Sequence, residues 1–418
     1  MHRRVVPRRK FPVPLRYVGL AALVLLLCRG VVRADNSITA PDRNGTTGLY
    51  PSLELDSGGN PVIAYYRSDS GNLKIMHCND PNCAGDDESI ESVDATGTVG
   101  INPALKLDRF GYPVVSYYDN TNGDLKVLHC NDPDCSGGDD SITSPVTVGD
   151  VGFYSDLFVD VIHHPNIAFY DTTNDLIKFM RCNDDDCAGA NETITAVGVE
   201  AQFVTMAPDS SGFPVIAWRN TNPIFDTLWI IHCDDFDCTS HSDETPDPGF
   251  GTGLFPSMVL DDFGNPVVSY KALSFADLTI LHCNDPDCDG AAESITTPIP
   301  TGSTGAWSSV KLDSLGNAVV SYYDESDDTL GILRCNDPDC AGSGDTIAMP
   351  DTAAADVGLY TSLELDEEGN PVVAYYNATH GNLKLLHCDT PDCLPRPLLI
   401  AAGVAEGGLS VTRIYEVE

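Results

Sequence analysis

Positive charge is scarce in this sequence once its first 34 residues are set aside. Of the 23 lysines and arginines, eight precede Asp35 (Arg3, Arg4, Arg8, Arg9, Lys10, Arg16, Arg29 and Arg33), whereas all 62 acidic residues lie at or after it. The formal charge of −39 for the whole chain thus becomes −47 for residues 35–418. Such a surface repels nucleic acid and anionic bilayers and excludes both as partners. It suits a cation-rich or saline medium, where self-repulsion is screened. Abundant aspartate with little lysine fits a halophilic surface or a calcium-loaded one.

A membrane-length apolar run is also missing. The longest, Tyr17 to Cys28, is about twelve residues against the roughly 20 a spanning helix needs. Arginines before it and Val32-Arg33-Ala34 after it read as a signal peptide over 1–34, an uncleaved anchor being the alternative. Arg8-Arg9-Lys10-Phe11 leaves the general and twin-arginine export routes both open. The expected product is secreted, extracellular and monomeric.

No cysteine after Cys28 lacks a neighbour. Fourteen follow in one C-x4-C spacing: Cys78 and Cys83, Cys130 and Cys135, Cys182 and Cys187, Cys233 and Cys238, Cys283 and Cys288, Cys335 and Cys340, Cys388 and Cys393. An even count behind an export leader reads as local disulfides. Zinc is disfavoured, since each pair offers two thiolates where a structural site takes four ligands.

Helical periodicity is absent too. The cysteine pairs recur every 50 to 53 residues, and within each copy short β-branched or aromatic runs are broken by Gly, Asn, Asp and Pro. That period and texture predict an all-β, seven-bladed β-propeller over 35–393, with four antiparallel strands (a to d) per blade. An aspartate opens every a–b turn (Asp56, Asp108, Asp160, Asp209, Asp261, Asp313, Asp366), with glycine three residues on except at His163. These residues suit a hairpin turn. Asn36-Ser37-Ile38-Thr39 matches strand d of other copies and is expected to close the ring as the outer strand of the last blade. Ile400 marks a rival closing strand within a tail, 394–418.

The texture Leu-Asp-x-x-Gly-Asn-Pro-Val-Val-Ser-Tyr-Tyr, followed by Leu-His-Cys-Asn-Asp-Pro-Asp-Cys, resembles the propeller repeats of secreted microbial proteins. More distantly it is similar to sialidase and lectin propellers. The resemblance implies the fold over almost all of 35–393. It implies no sialidase activity, because the Asp box Ser-x-Asp-x-Gly-x-Thr-Trp is absent and the arginines are scattered.

Aspartates of the turns and cysteine loops crowd one face, the bottom. Calcium is a conceivable occupant, but the Asp-x-Asp-x-Asp-Gly pattern is lacking, and solvated turns are the preferred reading; no other cofactor is expected. On the top face, Tyr50, Tyr154, Phe203, Phe255, Trp307 and Tyr360 recur at the start of strand a, with Asn102 departing. They suit inter-blade packing or, alternatively, platforms for sugar rings. Copies four and five break the strand-b Tyr-Tyr pair as Trp218-Arg219 and Tyr270-Lys271, and their next loops gain Ile224, Phe225, Leu273 and Phe275. The candidate ligand-binding set is therefore Phe203, Trp218, Arg219, Phe225, Phe255, Lys271, Phe275 and Trp307. His77, His129, His232, His282 and His387 share one repeat position, which marks them as structural before catalytic; no catalytic residue is nominated.

The leading expectation is a non-enzymatic binding or scaffold protein engaging glycan or protein through its top face. An extracellular glycoside hydrolase or lyase with a funnel site is the second, and a calcium-stiffened surface protein the third.

Overall fold

The computed structural model describes residues 36–394 except 190, 275, 291–292 and 353–354. The expected signal peptide, Phe275 and the rival strand at Ile400 lie outside the described residues. The described chain forms seven four-stranded antiparallel sheets, and it is a seven-bladed β-propeller. Blade 1 shows the plan: strand a Leu49–Leu55, b Pro61–Arg67, c Asn72–His77 and d Ser89–Asp94. Strand a of each blade packs on strand a of the next, and blade 7 on blade 1. The ring closes as the N-terminal segment predicts. Ser37–Thr39 pairs antiparallel with Asn382–His387, Ile38 opposite Leu386, and becomes the fourth strand of blade 7.

Strand b is apolar on both faces because it is covered on both faces. Val62 to Tyr65 are all fully buried, each side meeting a different neighbouring blade, so alternation gives way to a continuous apolar run. Seven clusters fill the wedges between blades. The one at the closure joins Leu53, Ile63, Tyr65 and Met76 of blade 1 to Val372, Ala374, Leu383 and Leu385 of blade 7.

All seven disulfides form as the spacing predicts. Cys78 bonds to Cys83, Cys130 to Cys135, Cys182 to Cys187 and Cys233 to Cys238. Cys283 bonds to Cys288, Cys335 to Cys340 and Cys388 to Cys393. Cα separations are 4.9 to 5.1 Å throughout. The cystines are buried within the wedge clusters, Cys78 and Cys83 at 2% exposure. Each is thus part of the core between blades as well as a staple for its loop.

On the bottom face the repeated histidine ties neighbours together. In every blade the turn aspartate accepts two amides of its own turn, as Asp56 does from Gly58 and Asn60 at 2.7 and 2.8 Å. Its second oxygen faces the histidine of its own blade: His77 Nε2 lies 3.0 Å from Asp56. The other nitrogen, Nδ1, reaches Asp134 in the cysteine loop of blade 2 at 2.9 Å. His129, His232 and His282 repeat this with Asp186, Asp287 and Asp339, and His387 crosses the closure to Asn82. Arg181 and Arg334 stand in for histidine by reaching Asp237 and the Pro391 carbonyl. His163 replaces the turn glycine by adopting the same left-handed backbone, φ 75° against 78° at Gly59.

Candidate functional site at the channel mouth

Strand a carries a β-bulge at its start in every blade. In blade 1, Leu49 pairs with Tyr66 and Ser52 with Ala64, so three steps on one strand oppose two on the other. The extra residue is left-handed in all seven blades: Tyr50, Asn102, Tyr154, Phe203, Phe255, Trp307 and Tyr360 have φ between 48° and 57°. Asparagine takes this conformation readily; for large aromatics it costs about 1–2 kcal/mol each. The bulge turns these side chains off the sheet and onto the propeller axis.

There they meet one another. Ring centroids lie 4.4 Å apart for Tyr50–Tyr360 and Tyr154–Phe203, 4.6 Å for Phe203–Phe255, 4.8 Å for Phe255–Trp307 and 4.7 Å for Trp307–Tyr360. Six half-buried aromatics and Asn102 form a collar around a cavity of about 240 Å³. Second-row rings brace it, Tyr323 at 5.9 Å from Trp307 and Tyr376 at 6.4 Å from Tyr360. The wedges between blades are filled by a different set of aromatics, Tyr65, Tyr117, Tyr270, Tyr322 and Tyr375, which are fully buried.

A glycine two residues earlier brings the bulge close to the adjacent blade, and this signal was missed in the sequence. Gly48 has φ 85°, and a Cβ there would lie 2.5 Å from the Leu383 backbone across the closure. The same contact recurs at Gly100, Gly152, Gly253, Gly305 and Gly358; only blade 4, with Ala201, departs. Gly-x-aromatic is the local signature of the collar.

Below the collar the shaft, about 260 Å³, is lined with small and hydroxylated side chains. Two residues past each collar position, a side-chain oxygen accepts an amide of the next blade. Ser52 accepts from Leu105, Thr205 from Met258, Ser257 from Val310, Ser309 from Leu363 and Ser362 from Leu53. Ala104 breaks the series, and Asp156 repairs it by accepting both Leu157 and Met206 at 2.8 Å. Burial raises the Asp156 carboxyl; Lys106 and these amides offset part of that rise. Deeper still, Lys106 pairs with Glu54 and Lys311 with Glu364.

The structure divides the ligand-binding candidates. Phe203, Phe255 and Trp307 belong to the collar. Arg219 holds Asp226 through two bonds of 2.8 and 3.1 Å. Lys271 is buried, donating to Ser303 at 2.9 Å and pairing with Glu325. Both cations are thus paired with carboxylates. Phe225 is exposed at 57%, beside a loop that bonds Gly251 to the Asp226 carbonyl and Leu273 to the Gly251 carbonyl. Phe250, overlooked in the sequence, is exposed in that same loop. Trp218 is buried between blades 3 and 4, against Trp229.

No protein-family model and no curated protein matches the chain. Among solved structures it is similar to the polysaccharide lyase Uly1, with TM-score 0.51 and 8% identity over 84% of this chain and 90% of that one. It is also similar to a PL25 ulvan lyase (TM-score 0.47, 12% identity, 84% and 94% covered). A third is the α-L-arabinofuranosidase Arb93A from Fusarium graminearum (TM-score 0.45, 14% identity, 75% and 96% covered). At these identities the likeness is one of fold.

Proposed function

We propose that this propeller is exported and recognises a neutral polysaccharide with the aromatic collar at its channel mouth. One observation carries the reading: six of seven left-handed bulge positions hold a large aromatic where asparagine or glycine would be less strained. Backbone strain repeated at one place is a pointer to function. The rings present faces and edges to an axial opening, the arrangement that stacks on the C–H faces of sugars, and hydroxyl-bearing side chains lie just below. Net charge of −39 disfavours a polyanion, and the seven disulfides suit an oxidising, extracellular setting. The fold likeness to polysaccharide lyase Uly1 adds a ligand class without adding a residue.

The test is retention on a panel of neutral polysaccharides (a glucan, a mannan, a xylan and an arabinan) against the Trp307→Ala and Tyr360→Ala variants. Each variant is expected to weaken binding about tenfold, the scale of one lost stacking contact of about 1 kcal/mol or somewhat more. Equal retention by parent and variants, or retention on nothing in the panel, sinks the proposal.

Cleavage of the bound chain is a second reading, favoured by the Uly1 likeness and by the half-buried Asp156 carboxyl beneath the collar. Both Asp156 oxygens already hold amides, so proton transfer there competes with a structural task. New reducing ends on the same panel, lost in Asp156→Asn, establish hydrolysis of a neutral chain, and an unchanged polymer removes that reading. Lyase chemistry, which abstracts the proton beside a uronate carboxylate, is read on a polyuronate from the unsaturated end it would leave.

A further inference from the structure

A cavity of about 440 Å³ opens on the bottom face between blades 5 and 6. Phe263 and Leu315, at the tips of the two a–b turns, stand at its edge and are 84% and 76% exposed. Asp262, Asn265, His282 and Asp339 complete the lining used here. The apolar tips are not a requirement of the turn, because Gly58 and Glu368 hold the same position in blades 1 and 7.

The corresponding place between blades 2 and 3 shows what fills such a gap. Phe110 corresponds to Phe263, Ile162 to Leu315, His129 to His282 and Asp186 to Asp339. There the Arg109 guanidinium lies over the Phe110 ring, 4.4 Å from its centroid. Its Nη1 donates across the blade boundary to His163 Nε2 at 2.6 Å. Tyr112 adds a second ring 5.7 Å from Phe110. Blades 3 and 4 use the same pairing in another form, with Arg181 5.0 Å from the Phe236 centroid.

Between blades 5 and 6 the apolar tips and the His282–Asp339 clasp, at 3.0 Å, are kept. Every filling residue is exchanged: Asp262 stands for Arg109, Asn265 for Tyr112 and Gly316 for His163. The cation is gone and a carboxylate stands in its place. Asp262 is exposed and has no ion pair among the described residues. An open aromatic face beside an unpaired carboxylate fits a guanidinium, which is planar, weakly hydrated and stacks on rings while it pairs with carboxylates. The net charge of −39 repels a second copy and attracts a basic segment.

We infer that this cavity docks an arginine side chain of a basic partner protein, its guanidinium over Phe263 and paired with Asp262. The inference does not rest on the collar reading, because the site lies on the bottom face and shares no residue with the collar.

The experiment titrates the full chain into an end-capped Gly-Arg-Gly-Arg-Gly peptide carrying a neutral dye. Binding is followed by fluorescence anisotropy at about 0.15 M salt, where long-range attraction is screened. Saturable one-to-one binding is expected, with the lysine counterpart of the peptide at least about threefold weaker. Phe263→Ser is expected to weaken it about fivefold. Asp262→Arg, which restores the residue of blade 2, is expected to weaken it at least about tenfold. Glu367→Arg makes a like change of charge at the same turn position of blade 7, and should leave affinity within about twofold. All three substitutions lie at exposed turn positions, so the melting midpoint should hold. No saturable binding, or an affinity unchanged in Phe263→Ser, overturns the inference. Equal losses in Asp262→Arg and Glu367→Arg overturn it by showing charge attraction alone, and equal binding of the two peptides overturns it by showing no preference for guanidinium.

Discussion

Asp156 and Met206, fifty residues apart, are joined by a 2.8 Å bond from the Met206 amide to one carboxylate oxygen. The other oxygen takes the Leu157 amide, which in the regular repeat belongs to a hydroxyl at position 104. Ala104 and Asp156 therefore form a compensating pair in the ring of bonds that links the strands around the shaft. Asp156→Ala strands two amides, each costing about 1–3 kcal/mol when buried, so a loss of about 2 kcal/mol or more is expected in urea denaturation. Ala104→Ser with Asp156→Ser restores the repeat pattern and is expected to recover most of it. A double variant no more stable than Asp156→Ala refutes the compensation.

The collar should separate stability from binding. Trp307→Asn gives the left-handed position the residue that blade 2 already carries, relieving about 1–2 kcal/mol of backbone strain. It removes ring contacts with Phe255, Tyr360 and Tyr323, each worth about 0.5–1.5 kcal/mol. The strain relieved offsets part of this loss, so the melting midpoint should fall modestly while polysaccharide retention falls sharply. A large drop in midpoint shows instead that the collar is chiefly structural packing.

These cases mark where the sequence is legible. The C-x4-C loop and the Asp-x-x-Gly turn are local devices, complete within a few residues, so their repetition announced blade number and disulfides, and the match of Asn36-Ser37-Ile38-Thr39 to strand d of other copies announced the closing strand. The collar depends on a bulge whose register is set by the partner strand, and position alone could not separate it from inter-blade packing. Trp218, singled out as a departure from the repeated Tyr-Tyr pair, is buried because strand b is covered on both faces, which depends on the neighbouring blade. The pairing of Arg219 and Lys271 was not legible because their partners Asp226 and Glu325 lie seven and 54 residues further along the chain. The histidine position was legible as structural, but its bridge to the next blade was not.

The buried tyrosines make a graded series. Tyr65, Tyr117, Tyr270 and Tyr375 donate to Asp42, Asp94, Asp247 and Asp351. The Tyr322 hydroxyl is buried without a partner among the described residues, beside a position where Ile299 stands in place of the aspartate. Burial, then the Asp42 charge, pushes the Tyr65 hydroxyl far above its usual range, so it stays a donor. Tyr65→Phe deprives buried Asp42 of a bond and is expected to cost about 1–3 kcal/mol, whereas Tyr322→Phe removes only an orphan and is expected to be neutral or stabilising. Equal losses at both positions, read from denaturation midpoints, contradict this assignment.

The bottom-face clasps predict an acid limb. Burial raises the Asp366 carboxyl, but His387 and the amide and side chain of Asn370 outweigh it and leave it below its ordinary value. Asp56 and Asp261 are lowered in the same way, by His77 and His282 together with turn amides. A carboxyl depressed by folding adds stability that is fully present above the unfolded value, about 3.9 for aspartate, and lost as pH falls through the lower folded value. The melting midpoint should therefore hold down to about pH 5 and drop below about pH 4. Protonation also relieves the acidic surface of self-repulsion, an opposing effect, but one common to parent and variant. Asp366→Asn should melt lower than the parent at about pH 6, and the gap should close below about pH 3. A gap of the same size at both pH values shows that the clasp at His387 works through shape and not through charge.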